Sequence, residues 1–190
     1  MSIRLMLDGH SFSEEQLAAL PHNGKRREIV LLTAKTMLVP GELFVAEEAE
    51  ETMRLNGMAP TPEETILHVE DPHRKTVALM AVDRRIVERL RAAKGREIRW
   101  NTPLLHSPEN TNATFWIRRE ENLVYMKCWS DRLLLAEVLV VPTAEDLLFF
   151  VTEFLREMEF RPQRILIEGA SARQEGRFLQ KYFKQIIVCE

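Results

Sequence analysis

Two cysteines are all the thiols in 190 residues, and neither Cys128 nor Cys189 has a second cysteine at the short spacing that zinc or redox chemistry needs. A disulfide framework and a Cys-x-x-Cys site are excluded. Each thiol lies in an apolar, strand-like stretch and is expected to be a buried, reduced side chain of a cytoplasmic protein. An excess of one charge is also missing: 26 Lys and Arg against 29 Asp and Glu leave a net charge of −3. No global field draws in nucleic acid or an anionic membrane, so no nucleic-acid partner is expected. Long apolar runs are absent too. The richest stretches, 133–141 and 147–151, fall well short of the roughly 20 residues that a membrane-spanning helix requires. Residues 1–5 lack the basic and then apolar pattern of a secretory signal, so no membrane insertion is expected.

Catalytic signatures are equally sparse. His10, His22, His68, His73 and His106 are scattered without metal-ligand spacing, so no metal site is predicted. Gly-x-Ser-x-Gly does not occur around any serine. What is present is an ordinary globular composition, 45% hydrophobic and 29% charged, in a length that suits one large domain or two small ones.

Hydrophobic periodicity divides the chain into an N-terminal lobe, 1–105, and a C-terminal lobe, 106–190, around a Pro-, Ser-, Thr- and Asn-rich linker at 103–112. In the first lobe, strands are expected at 3–7, closed by Asp8-Gly9, and at 28–38. An acidic helix carrying Glu47, Glu48, Glu50 and Glu51 should stop at Asn56-Gly57. A hairpin joins 65–70 to 76–82. Asp83 then caps a basic helix with an Ile86, Val87, Leu90 and Ala93 stripe, Gly95 ends it, and 96–100 is a strand. The acidic run and the basic cluster of Arg84, Arg85, Arg89, Arg91, Lys94 and Arg96 are most simply solvated faces.

The second lobe reads βββαβαβ. Strands at 114–118 and 123–130 flank the turn Arg119-Glu120-Glu121-Asn122, a third covers 132–140, and the three form an antiparallel meander. Thr143 and Asp146 open a helix with Leu147, Val151, Phe154, Leu155 and Met158 on one face. A buried strand at 164–167 leads through Glu168-Gly169-Ala170-Ser171 into a helix reaching about residue 183, with Ser171 and Gln174 as its capping box. The last strand is 185–189. Val39-Pro40 and Val141-Pro142 each precede the first helix of a lobe, and the two halves read as a divergent internal duplication. Trp100, Trp116 and Trp129 are all strand-associated and are expected to pack in the core or between the lobes rather than to stack bases; the alternative is an exposed aromatic pair of Trp116 with Tyr125 across a hairpin.

Three stretches carry a family resemblance: Met37-Leu38-Val39-Pro40 with Leu43-Phe44, residues 133–150, and residues 165–182. With the paired lobes they resemble the actin-like ATPase superfamily, of ribonuclease H-like architecture, and more closely an uncharacterised bacterial family of short two-lobed members. The resemblance implies an α/β fold of two βββαβαβ lobes with mixed sheets. In active members three glycine-containing turns hold ATP and Mg²⁺ between the lobes. Carried over residue by residue, the nucleotide-binding candidates are Asp8, Gly9 and Ser11 for the first phosphate turn. Gly169, Ala170, Ser171 and Arg173 correspond to the adenosine turn, where glycine admits a ligand closely and a helix N-terminus offers free N–H groups.

The resemblance also exposes departures. Asp8-Gly9 lacks the spacer of Asp-x-Gly, the adenosine turn has lost one glycine of its pair, and the second phosphate turn has two glutamates and no glycine. Such a turn repels a polyphosphate and cannot wrap it. Phosphoryl transfer needs nearly its whole cradle and metal, so neither catalysis nor a bound cofactor is expected. No carboxylate is expected inside an apolar strand of the second lobe, which argues against two-metal nuclease chemistry. The expected role is a non-enzymatic binding or scaffolding module with a protein partner or a second copy of itself. A nucleotide-binding protein or weak ATPase is the alternative.

Overall fold

A computed structural model describes residues 2–6, 27–71, 73, 75–94, 98–106 and 113–189. In chain order the elements are β1 (Ser2–Met6), β2 (Arg27–Leu32), β3 (Thr36–Pro40), α1 (Ala49–Leu55), β4 (Glu64–Asp71), β5 (Thr76–Asp83), α2 (Arg84–Lys94), β6 (Ile98–Asn101), β7 (Thr114–Glu120), β8 (Leu123–Trp129), β9 (Leu133–Val140), α3 (Ala144–Glu157), β10 (Arg164–Gly169), α4 (Ala172–Leu179) and β11 (Ile186–Val188). They fall into two compact units, Met1–His106 and Ser107–Glu190. The architecture is α/β.

The second unit is one five-stranded mixed sheet in the order β11-β10-β7-β8-β9. β7, β8 and β9 form the expected antiparallel meander, and β10 and β11 join it in parallel. Parallel strands need crossovers, which α3 and α4 supply. Phe115, Ile117, Val124, Met126, Cys128, Ile165 and Ile167 alternate onto one face of the sheet, where Leu147 and Val151 of α3 and Leu179 of α4 complete the core. Burial pushes the Cys128 thiol up to about 12, so this thiol is an inert core group.

The other face of the same strands is also buried, in keeping with the expectation that Trp116 and Trp129 are packing residues, and only the alternative of an exposed Trp116–Tyr125 pair is corrected. Trp116 and Tyr125 are fully buried, and they are not cross-strand partners. Trp116 pairs with Lys127 and Tyr125 with Arg118, with the Lys127 ammonium over the rings of Trp116 and Trp129 at 5.6 and 4.9 Å. Strand alternation revealed which residues share a face, but not that both faces would be covered.

The first unit has the same order with one extra strand. The stretch from 28 to 38 divides into β2 and β3 at residues 33–35, where the Thr33 hydroxyl donates to the Ala81 carbonyl at 3.1 Å and the Thr36 hydroxyl to the Thr33 carbonyl at 2.8 Å. β1, β2 and β6 form a parallel sheet; β3, β5 and β4 form an antiparallel one. β5 alternates between two cores. Met80 and Val82 join Ile29, Leu31, Val87 and Leu90, while Val77, Leu79 and Ala81 join Val39, Ala49 and Met53. Asp83 caps α2 as expected, accepting from the Arg85 N–H at 2.8 Å. Gly57 (φ +74°) follows α1. The acidic segment is helical only from Ala49; Gly41–Leu43 and Ala46–Glu48 are single 3₁₀ turns. Part of the expected linker is ordered: Pro103 and Leu104 are buried, in a turn closed by Leu105 N–H to Thr102 O at 3.0 Å. The Gly95 stop lies outside the described residues.

Thr143 and Asp146 form the expected reciprocal capping box, with the Asp146 N–H donating to Thr143 Oγ1 at 3.1 Å and the Thr143 N–H to Asp146 Oδ2 at 3.2 Å. Thr143→Ala is expected to lower unfolding free energy by about 1 kcal/mol, measured as a lower urea midpoint at unchanged m-value.

Candidate functional site

The strand-to-helix turn expected to correspond to an adenosine turn lies at the C-terminal end of β10, the end at which open α/β sheets bind ligands. Gly169 closes the strand at φ +113°, opposite Arg119 of the parallel neighbour β7. A Cβ at this glycine would lie 2.2 Å from the Arg119 carbonyl oxygen. The glycine is therefore required for close approach of two backbones within the sheet. That requirement exists without any ligand.

Ala170 is exposed and Ser171 half-buried. Ser171 occupies the N-cap position of α4 at φ −96°, ψ 3°, and makes no side-chain capping bond. The expected Ser171–Gln174 capping box does not form. A capping side chain works from an extended backbone, and at this ψ Ser171 is turned away from that geometry. Its carbonyl accepts from the Gln174 and Glu175 N–H groups at 2.9 and 3.0 Å. α4 also ends sooner than expected, at Leu179.

The second phosphate turn is tighter than the sequence suggested. Arg119 and Glu120 belong to β7, and only Glu121 (φ +54°) and Asn122 form the turn. Arg119 turns its side chain inward. Nη1 donates to the Val141 carbonyl at 2.6 Å and to Glu121 O at 3.3 Å, and Nη2 donates to Thr143 O at 3.1 Å. Nε forms an ion pair with Oε1 of Glu175 on α4, the two side chains being 8% and 7% exposed. Burial pushes the Glu175 carboxyl above the ordinary carboxylate range, while Arg119 and Ser171 pull it back. One guanidinium thus ties together the β7–β8 turn, the β9–α3 junction and the first turn of α4.

Arg118 makes a second, shallower cluster, with Nη2 2.8 Å from Glu120 and Nη1 3.8 Å from Glu168. Here too a sequence expectation is corrected: Glu120, Glu137 and Glu168 all lie within strands of the second unit. Strand periodicity treats these positions as apolar because their neighbours are. Glu168 and Glu120 share Arg118, while Glu137 is half-buried and burial raises its carboxyl above the ordinary range. Among the described residues no three His, Cys, Asp or Glu side chains gather as a metal site.

Arg173 is exposed on α4 and borders a shallow groove of about 630 Å³ with Gln174, Arg177, Phe178 and Lys181. Asp8, Gly9 and Ser11 lie outside the described residues. The structure thus brings Gly169, Ala170, Ser171 and Arg173 to one strand-to-helix turn. It also adds Arg119 and Glu175, which sequence reading passed over. Their only signal was an arginine at the end of an apolar strand and a glutamate on the otherwise apolar side of a helix.

No family model and no curated protein matches the chain. Among solved structures, a Bacteroides thetaiotaomicron protein described as having an actin-like ATPase fold and unknown function is similar over 99% of this chain and 89% of its own, with a TM-score of 0.78 at 16% identity. The cytoplasmic domain of EpsL, an inner-membrane component of the type II secretion system of Vibrio cholerae, is similar over 88% of this chain and 80% of its own, with a TM-score of 0.50 at 11% identity. The fold is that of the actin-like ATPases.

Removing one member of the buried pair strands the other. Arg119→Met is expected to cost about 3–5 kcal/mol, since it leaves the Glu175 carboxylate without its counter-charge and three carbonyls without their donor. Replacing both, Arg119→Met with Glu175→Leu, should recover part of that loss. Urea unfolding of the single and double variants measures the coupling.

Proposed function

We propose that this chain is a non-enzymatic binding or scaffolding protein of the cytoplasm, built on an actin-like ATPase fold whose nucleotide turns have become structural. The observation that carries this reading is the engagement of Arg119. A phosphate cradle needs donors held open toward the ligand, and the Arg119 guanidinium gives its Nη donors to Val141, Thr143 and Glu121 and its charge to Glu175. The β7–β8 turn beside it presents Glu121 where a cradle would present glycine N–H groups. Gly169 is accounted for by its contact with the Arg119 carbonyl. EpsL, a component of a secretion system on a similar fold, is consistent with a role in assembly.

Thermal unfolding with ATP and Mg²⁺ tests the proposal. A ligand present at a hundred times its Kd adds about 2.7 kcal/mol, which for a chain of this size raises Tm by roughly 5–10 °C. The expected result is no saturable shift. A saturable rise that Arg173→Glu abolishes would assign the chain as a nucleotide-binding protein instead.

A further inference from the structure

Three of the four α-helices carry both signs of charge on their solvated faces. α1 pairs Arg54 with Glu51, α3 pairs Arg156 with Glu153, and α2 sets Glu88 among its arginines. α4 does not. Its one carboxylate, Glu175, is turned inward to Arg119, while Arg173, Arg177 and Lys181 follow one another at four-residue intervals, all exposed. Residues four apart on a helix are neighbours on one face, so the three cations form a row that runs just past the last helical residue. Among the described residues neither Arg177 nor Lys181 has a carboxylate partner.

This row works against the helix that carries it. Like charges at this spacing repel, and Arg173 stands in the first turn, where the helix dipole disfavours a cation. Only Arg177, in the last turn, suits the dipole. Helix stability therefore does not account for the row. Beside it lies the shallow groove of about 630 Å³ that Gln174 and Phe178 share with the three cations. Phe178 is half-buried, with the Lys181 ammonium 5.6 Å from its ring centroid and the ring of Tyr182 at 5.8 Å. Tyr182 itself is exposed. The groove thus has a cationic flank and an aromatic wall.

We infer that this face of α4 docks a short, extended acidic segment of a partner protein, in which carboxylates alternate with apolar side chains. Charge complementarity sets the sign of the partner, and spacing sets its form. The row spans about 12 Å, eight residues at the helical rise. Alternate residues of an extended chain lie about 6.7 Å apart, so three alternate carboxylates cover that length. The side chains between them point the other way and supply the apolar contact for Phe178 and Tyr182. The Phe178 ring already lies against Lys181 and Tyr182, which makes it a wall for an aliphatic group rather than an open platform for a base. The net charge of −3 gives a long polyanion no general attraction, whereas a few carboxylates act within the screening length of about 8 Å. The inference rests on the binding-module reading and names the partner chemistry for it.

Fluorescence anisotropy of a labelled, end-blocked Glu-Leu-Glu-Leu-Glu peptide, titrated with the full chain at physiological ionic strength, tests the inference. Saturable micromolar binding is expected, and none for Gln-Leu-Gln-Leu-Gln. Arg177→Glu with Lys181→Glu should weaken binding by at least about tenfold at an unchanged circular-dichroism melting curve, and should let Lys-Leu-Lys-Leu-Lys bind instead. Arg91→Glu with Arg132→Glu makes the same change in net charge at exposed positions elsewhere and should leave binding intact. Absence of saturable binding, equal loss in both double variants, or tighter binding of an oligothymidylate of similar charge overturns the inference. If the peptide fails while ATP and Mg²⁺ give no thermal shift, only this inference falls; a saturable ATP shift overturns the binding-module reading beneath it.

Discussion

Arg119 and Glu175 form a buried ion pair at the corner where three connections of the C-terminal sheet converge. A charge taken out of water is tolerated only when its partners are complete. Here the chain supplies most of them, Glu175 from the first turn of α4 and the carbonyls of Glu121, Val141 and Thr143, while Arg119 Nε and Glu175 Oε2 are held by charge alone, without a hydrogen bond. The two crossover helices are therefore positioned by one side chain of β7. Gly169 completes the arrangement, because only a residue without a Cβ lets the end of β10 lie against the Arg119 backbone.

The same corner is where an actin-like ATPase would hold its phosphates, and the two uses compete for the same donors. A guanidinium committed to three carbonyls and one carboxylate gains rigidity for the sheet and gives up the open geometry that a polyphosphate requires. This is the physical basis for reading the fold as kept while its turns changed purpose.

Much of the second unit was legible before any coordinates. Alternation along 123–130, the Thr143–Asp146 capping box and the α3 stripe are local patterns, each set by neighbours a few residues apart. Asp83 as a cap and Asn56-Gly57 as a stop were legible for the same reason. The Ser171–Gln174 motif misled, because a capping box depends on the backbone angles of its first residue as well as on residue types. At Ser171 those angles are set by the strand-to-helix turn, and the side chain makes no capping bond.

The sequence by itself determined the element order of the second unit, the α/β class and the strand-to-helix turn at Gly169, since these follow from periodicity and turn chemistry within short windows. Only the tertiary structure decided what packs against that turn. Arg119 and Glu175 are 56 positions apart in the chain, and nothing local marks either as a partner of the other. Whether an arginine at a strand end reaches into solvent, toward a ligand or into a ring of carbonyls depends on which helices return beside it. Here the parallel pairing of β7 with β10 brings α4 to that place, and burial makes the resulting charge pair obligatory.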